Sequence, residues 1–142
     1  MMETPVIDTN PDRLDREMIF QFLKDTYWGK GRSREQVYLS INRSLNFGMY
    51  LGEGAHQQQV GYCRVLTDGV VLSYLFDVFV LPEFRGRGWG KLLVKAVLEH
   101  PVCRESNFWL LGTKDAQGLY EQFGFKRVPA DNLLMSRPKN LD

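Results

Sequence analysis

The sequence has few cysteines and no long apolar run. Its two cysteines, Cys63 and Cys103, lie far apart and outside any Cys-x-x-Cys pattern, which excludes a disulfide scaffold and a zinc site. We expect both to be ordinary reduced residues. The most apolar stretch, 70–81, contains Ser73 and Asp77 and is shorter than the roughly 18 apolar residues that a membrane helix needs. It predicts a buried strand.

The sequence also lacks an excess of charge of either sign. Eighteen lysines and arginines face seventeen aspartates and glutamates, for a net charge of +1, so no global field steers the protein towards nucleic acid or an anionic membrane. Residues 1–15 mix acidic and basic side chains and have no apolar core of the kind that a secretory signal requires. We therefore expect a cytoplasmic protein that has neither nucleic acid nor a membrane as its partner.

The size and composition are those of one globular domain. The chain has 142 residues, of which 44% are apolar and 25% are charged, and these values exclude disordered and fibrous classes. We predict a single domain over residues 1–142.

Two helices are predicted near the N-terminus. Residues 10–11 are Asn-Pro, which is typical of a helix start, and apolar residues recur at helical spacing up to Phe22, so we predict one helix over 11–25. Ser33 and Gln36 have the spacing of a capping box, which predicts the start of a second helix.

Strand patterns follow one another after these helices. They cover residues 47–53, 60–67 and 70–80, and the Asp-Gly pair at 68–69 predicts a hairpin between the last two. Strands that succeed one another without intervening helices indicate an antiparallel meander.

The second half of the chain alternates helix and strand. The patterns predict helices over 88–99 and 116–123 and strands over 108–111, 125–128 and 133–136. Together with the meander, they predict an α+β fold, an α/β three-layer arrangement in which a mixed, mostly antiparallel sheet has helices on both faces.

A glycine-rich loop joins the third meander strand to the helix after it. Its glycines and cations are, in order, Arg85, Gly86, Arg87, Gly88, Gly90 and Lys91. Glycines let the backbone approach a ligand closely, and a helix N-terminus adds about half a positive charge. Three cations in this segment suit a pyrophosphate better than a single carboxylate. The alternative is a turn whose glycines serve only the backbone conformation.

The spacing within this loop does not match the common nucleotide motifs. A Walker A loop needs Ser or Thr after its lysine, but Leu92 follows Lys91. The dinucleotide pattern G-x-G-x-x-G also fails, because the third glycine comes one residue early. A nucleotide-binding protein is therefore an alternative supported only by the presence of glycines.

Two segments resemble the GNAT superfamily of acyl-CoA-dependent N-acetyltransferases. The family signature [QR]-x-x-G-x-[GA] is matched by residues 85–90, RGRGWG, and its A-x-x-L-Y-x-x-x-G-F element by residues 116–125, AQGLYEQFGF. The order of the predicted elements also resembles that of the family, so the resemblance covers essentially the whole chain. It implies a GNAT-like acyltransferase fold.

The resemblance implies that acetyl-CoA is the co-substrate and that no metal takes part. In the family, backbone groups of the strand before the loop pair with the pantetheine arm, and the loop holds the pyrophosphate. The positions that correspond here are Val78, Phe79, Val80, Arg85, Gly86, Arg87, Gly88, Trp89, Gly90 and Lys91, followed downstream by Thr113, Ala116, Leu119 and Tyr120. Thr113 stands where the family often has an asparagine.

The catalytic residues suggested are Tyr120 and Asp77. The resemblance gives Tyr120 the role of general acid, and a tyrosine pKa of about 10 suits protonation of a thiolate. Asp77 lies in an otherwise apolar strand, where a carboxylate is costly unless it is paired or functional. It is interpreted either as the general base or as the partner of a neighbour such as Arg64. A chain of waters is the alternative to any dedicated base.

The acceptor side is suggested by the loop between the first two helices, which lines the acceptor pocket in the family. Here this loop offers Tyr27 and Trp28, whose rings could hold an amine cation or could anchor the helix pair to the core. The resemblance implies an N-acetyltransferase that acts on a primary amine of a small molecule or peptide in a ternary complex, and a homodimer. The alternative class is a non-catalytic acyl-CoA-binding regulator.

Overall fold

The computed structural model describes residues 3–130 and 133–139. The chain divides into two compact units, Met1–Gly112 and Thr113–Asp142, each of which is described by itself. The first unit contains β1 (Val6–Asp8), α1 (Arg16–Leu23), α2 (Arg34–Asn42), β2 (Leu45–Leu51), β3 (Gln58–Thr67), β4 (Leu72–Val80), α3 (Trp89–Glu99) and β5 (Phe108–Leu111), and the second contains α4 (Gln117–Glu121). Short 3-10 turns cover Pro11–Arg13, Gly54–His56 and Pro82–Phe84.

The first unit is built on a five-stranded sheet. Its strands lie in the order β1-β2-β3-β4-β5, and every neighbouring pair is antiparallel except β4 and β5, which are parallel. The predicted meander of β2, β3 and β4 is thus confirmed. In the hairpin between β3 and β4, Gly69 has φ +77° and the Asp68 carboxylate accepts the backbone N–H of Val70, which explains the Asp-Gly pair. The short strand β1 was not predicted.

The predicted helix over 11–25 is wrong in its first part. Asn10 caps only a 3-10 turn, the chain is extended at Leu14, and Asp15 starts α1 by accepting the backbone N–H of Met18. Asp15 is thus a second capping residue, and it sets the start of α1 although the apolar pattern is continuous. A capping side chain bonds an unpaired backbone N–H only at a helix start. The capping box of Ser33 and Gln36 at the start of α2 is confirmed.

Helices cover both faces of this sheet, as predicted. On one face, α1 and α2 bury a cluster around Tyr62 and Phe79. Gly61 is the neighbour of Tyr62 and so faces the opposite side, where a Cβ added to Gly61 would lie 3.5 Å from Leu93 of α3. At the end of α3, the His100 ring meets Phe47 of β2 edge-on at 5.4 Å.

In the second unit, the helix is shorter than predicted and the two final strands are absent. The helix ends at Glu121, after which the N–H groups of Gly124 and Phe125 donate to Glu121 and Tyr120, with Gly124 at φ +89°. Residues 125–128 and 133–136 form no strand among the described residues. An apolar pattern alone does not make a strand, because a strand needs a partner for its backbone groups.

We expect Tyr62→Phe to lower the free energy of unfolding by about 1–3 kcal/mol, because it leaves a buried acceptor without a donor. The fully buried Tyr62 hydroxyl donates to the side-chain oxygen of Asn46, whose amide nitrogen donates to the carbonyls of Ile41 and Ser44. Urea unfolding measures the loss. Tyr38→Phe is the matched control, because its hydroxyl donates to Glu17 at the surface. Equal stabilities of the two variants would contradict the expectation.

Candidate active site

The middle of β4 is distorted at Asp77. Arg64 of β3 pairs with Phe76 and Tyr62 pairs with Phe79, so two residues of β4 face one residue of β3. This is a β-bulge, which bends a strand and re-aims its side chains. Asp77 has φ +57° and is the one residue other than glycine with positive φ in the part of the chain that the structure describes. Such a conformation is costly for most L-residues, although aspartate tolerates it better than most.

The Asp77 carboxylate is buried between two guanidinium groups. Its residue is 4% exposed, and Nε of Arg64 donates to Oδ2 at 2.7 Å. Nη1 of Arg32 donates to both carboxylate oxygens, at 2.8 and 2.9 Å. The ion pair with Arg64 that the sequence suggested is thus present. The second partner, Arg32 in the α1–α2 loop, was missed, because its distance in the sequence gave no sign of contact.

One edge of β4 is open beyond the bulge. β5 pairs with β4 only as far as Leu75, opposite Leu111, so residues 76–80 have no described strand on that side. The N–H of Leu81 donates to Val60 of β3 at 2.8 Å. Because backbone groups alternate in direction along an antiparallel strand, those of Val80 face the open edge, whereas Val78 lies within the bulge, where this alternation is interrupted.

The three strand residues predicted to bind the cofactor therefore differ in what they offer. Val80 presents its backbone groups to the open edge and Val78 lies within the bulge, whereas the Phe79 backbone faces β3 and its buried ring stacks on Phe22 of α1 at 4.0 Å. The Val80 carbonyl accepts a hydrogen bond from Nε of Arg85 at 3.0 Å. Arg85 is thereby held at the end of the strand.

The glycine-rich loop has the backbone that an anion site requires. Gly86 and Gly88 have φ +82° and +79°, and a Cβ added to either would meet no atom within 4 Å. Gly88 is the N-cap residue of α3 and makes no side-chain bond to the first N–H groups of this helix. These N–H groups carry the positive end of the helix dipole, so the loop and the helix start together can bind an oxyanion.

The cations of this loop are exposed, whereas its tryptophan belongs to the core. Arg85, Arg87 and Lys91 are all exposed. The Arg87 guanidinium lies 5.5 Å from the Phe84 ring and 5.3 Å from the Trp89 ring, and these two rings stack on each other. Trp89 is only 6% exposed, so it supports Arg87 by a cation–π contact.

A cleft of about 540 Å³ opens between α1, the α1–α2 loop and the end of β4. Its lining residues are Met18, Gln21, Phe22, Asp25, Thr26, Trp28, Leu81 and Arg85. Of the two predicted acceptor residues, Trp28 lines this cleft, whereas Tyr27 stands edge-on to Trp28 at 5.1 Å and is half exposed. The acidic Asp25 was not singled out in the sequence, where nothing distinguishes it from other surface acids.

In the second unit, the predicted residues lie on and before α4. Tyr120 is buried, with its ring 6.0 Å from that of Phe125, and Leu119 beside it is half-buried. The Thr113 hydroxyl accepts the backbone N–H of Ala116 at 3.0 Å. Thr113 therefore helps to form the start of this helix.

Neither cysteine offers a reactive thiolate. Both are free and buried, burial raises the pKa of the Cys63 thiol, and burial likewise raises that of Cys103 to about 11. Among residues 3–130 and 133–139, no group of three or more His, Cys, Asp or Glu could hold a metal ion. No helix in these same ranges is long and apolar enough to span a membrane.

The sequence and the fold match one family of transferases. The sequence model of the acetyltransferase (GNAT) domain matches residues 47–127, more than half of the chain. A crystal structure assigned to this family, from Xanthomonas campestris pv. campestris, is 37% identical, with a TM-score of 0.89 over 97% of this chain and 95% of that one. The chain belongs to the GNAT acetyltransferase family, and the predicted α+β fold is confirmed.

More distant relatives are similar over part of their length. A relative from Gibberella zeae, named as an acetyltransferase, is 26% identical over 66% of this chain and 62% of its own length. The chloroplastic GCN5-related N-acetyltransferase 2 of Arabidopsis thaliana is 30% identical over 55% of this chain and 32% of its own. The chain thus spans less than two thirds of these curated relatives. A Mycobacterium tuberculosis structure in complex with CoA shares the fold, with 20% identity and a TM-score of 0.67 over 87% of this chain and 73% of that one.

We expect Gly88→Ala to weaken CoA binding roughly 5- to 30-fold, because a side chain at this position strains the left-handed conformation of the loop by about 1–2 kcal/mol. Isothermal titration measures the affinity. Gly54→Ala is the matched control, since Gly54 also has positive φ and open space around its Cβ but lies in the turn between β2 and β3. We expect this control to lose a similar amount of stability and to bind CoA like the parent. If the affinity of Gly88→Ala for CoA equals that of the parent, the loop does not belong to the site.

Proposed function

We propose that this protein transfers the acetyl group of acetyl-CoA to a primary amine by direct attack in a ternary complex. The observation that carries the proposal is one continuous arrangement of backbone groups. The bulge at Asp77 and Val78 and the open edge at Val80 lead into the positive-φ glycines of the loop and the start of α3. Family membership and a structural neighbour that holds CoA give further support.

The first unit offers complementary partners to the two ends of acetyl-CoA. The glycine-rich loop, with Arg85, Arg87 and Lys91, suits the pyrophosphate, since it combines backbone N–H groups with exposed cations. The N–H and C=O groups at the open edge of β4 suit an amide-containing arm, which would pair with them as a short strand does. When bound, acetyl-CoA supplies an activated thioester.

Three tasks then fall to the chain. We assign to the Val78 N–H, within the bulge, the stabilisation of negative charge that develops on the carbonyl oxygen. The acceptor nitrogen forms the new C–N bond while the C–S bond breaks, and Tyr120 donates its proton to the leaving sulfur. The nitrogen's proton passes to water, because the Asp77 carboxylate already accepts hydrogen bonds from two guanidinium groups.

Direct attack is favoured over a covalent acyl-enzyme. An acyl-cysteine route needs an accessible thiolate, but both cysteines of the chain are buried with raised pKa values. The amine must therefore meet the thioester while both substrates are bound.

The cleft beside α1 is our candidate for the acceptor site. Its wall residue Phe22 stacks on Phe79, the neighbour of Val78, so the cleft adjoins the proposed reaction centre. Asp25 is exposed and forms no ion pair with another described residue, which suits it to bind an ammonium group. Trp28 adds an aromatic wall to the same cleft.

A non-catalytic acyl-CoA-binding regulator is the second candidate. It is favoured by the pairing of Asp77, which leaves no dedicated base at the bulge. A cytoplasmic location, a single functional domain and a homodimer stay predictions for either candidate.

Acetyl-CoA titration followed by thiol release against a panel of primary amines tests the proposal. We expect micromolar binding and amine-dependent release of CoA thiol. Binding without release on any amine would support the regulator, and the absence of binding at millimolar acetyl-CoA would overturn both candidates.

We expect Tyr120→Phe to lower kcat by roughly 100-fold or more, the usual contribution of a positioned general acid. The affinity for CoA should stay close to that of the parent, which calorimetry checks on the same sample. Tyr38→Phe serves as the control, because it also removes one phenol hydroxyl but at the surface of α2. Unchanged kcat in Tyr120→Phe would exclude this general acid.

We expect Arg87→Ala to weaken CoA binding roughly tenfold at low salt, the effect of about 1.4 kcal/mol from one exposed charge-assisted contact. The difference should shrink as salt is raised, because screening weakens exposed contacts. Titrations at two salt concentrations measure it. Arg104→Ala is the control, since Arg104 is exposed and pairs only with the neighbouring Glu105. Equal affinities of the two variants would remove Arg87 from the site.

A further inference from the structure

The α1–α2 loop is joined to the bulge of β4 by one side chain. Nη1 of Arg32 holds both oxygens of Asp77, while its Nη2 donates to the backbone carbonyl of Trp28 at 3.1 Å. Trp28 lines the cleft beside α1. A single guanidinium thus connects the wall of that cleft with the strained residue of the strand.

We propose that Arg32 is a positioning residue: through Asp77 it sets the direction of the Val78 N–H and couples it to the cleft wall at Trp28. This inference rests on the proposed function. It assigns Asp77 a role in holding the backbone and none in accepting the proton of the amine.

The geometry of Asp77 makes this coupling direct. Its backbone has φ +57°, a conformation that persists only where the surroundings enforce it. Both carboxylate oxygens are bound, which fixes the side chain and with it the Cα atom. The peptide group after this Cα carries the Val78 N–H, so a change at the carboxylate rotates this N–H.

The two arginines contribute differently. Arg64 is 7% exposed, lies 4.4 Å from the Phe76 ring and also donates to the Ser44 hydroxyl, so it is a fixed part of the core. The Arg32 side chain is 27% exposed and belongs to a loop. It is therefore the adjustable member of the cluster, and its loss leaves Asp77 with one buried partner.

We expect Arg32→Ala to lower kcat roughly ten- to hundredfold, the loss that follows when an oxyanion donor is displaced by a fraction of an ångström. The affinity for CoA, which the glycine-rich loop provides, should be unchanged. Arg32→Lys keeps the charge but cannot hold both Asp77 and Trp28, so it should recover only part of kcat. Thermal unfolding checks that each variant is folded. If Arg32→Ala does not fold, Arg32→Lys provides the test.

Arg34→Ala is the matched control. Arg34 lies two positions further along and joins α2 to α1 through Glu17 at 2.8 Å, but it has no contact with the bulge among the described residues. We expect this variant to retain the parent's kcat. An equal loss of kcat in both variants would mean that any weakening of the helix pair suffices, and would overturn the proposal.

Two readouts separate this inference from the proposed function. The amide ¹H–¹⁵N resonance of Val78 should shift in Arg32→Ala and stay in place in Arg34→Ala, whether or not the protein transfers acetyl groups. An unchanged resonance would overturn the coupling even if the enzyme is active. In the pH profile of kcat/KM, the acidic limb should keep its position in Arg32→Ala. A move of that limb to higher pH would identify Asp77 as the base and contradict its positioning role.

Discussion

The ion pairs at Asp77 are the interaction on which the rest of the first unit depends. A carboxylate taken from water loses several kcal/mol unless it is paired and fully hydrogen-bonded, and Asp77 gains three hydrogen bonds from Arg32 and Arg64. These bonds join β4 to β3, to the α1–α2 loop and, through Ser44, to the turn after α2. The bulge is stable because three parts of the chain meet at the Asp77 side chain and a fourth is joined to it through Arg64.

Function follows from what β4 leaves unpaired. On one side the strand pairs with β3 except at the bulge, and on the other its partner β5 stops at Leu111, opposite Leu75. The backbone beyond that point is available to a ligand, and the loop after the strand provides the N–H groups and cations that an anionic ligand needs. The chain thus places polar backbone that no described strand pairs beside the start of α3.

Local signals in the sequence predicted local features well. The capping box at Ser33, the hairpin at Asp68 and the glycine-rich loop each depend on residues within a few positions, so their patterns are visible in one dimension. The α1 start was missed because two capping residues, Asn10 and Asp15, compete within one apolar pattern. Arg32 was missed because a contact with Asp77 across 45 positions has no periodicity, and the final strands were wrong because apolar residues do not reveal whether a partner strand exists.

The bulge has a further consequence for the solution behaviour of the chain. An unpaired strand edge is a template on which another polypeptide can add, which leads to aggregation. A flat edge over residues 76–80 would invite such addition, but a left-handed residue at position 77 breaks the regular spacing of donors and acceptors that an incoming strand must match. The same distortion therefore makes this edge a poorer template for a second chain.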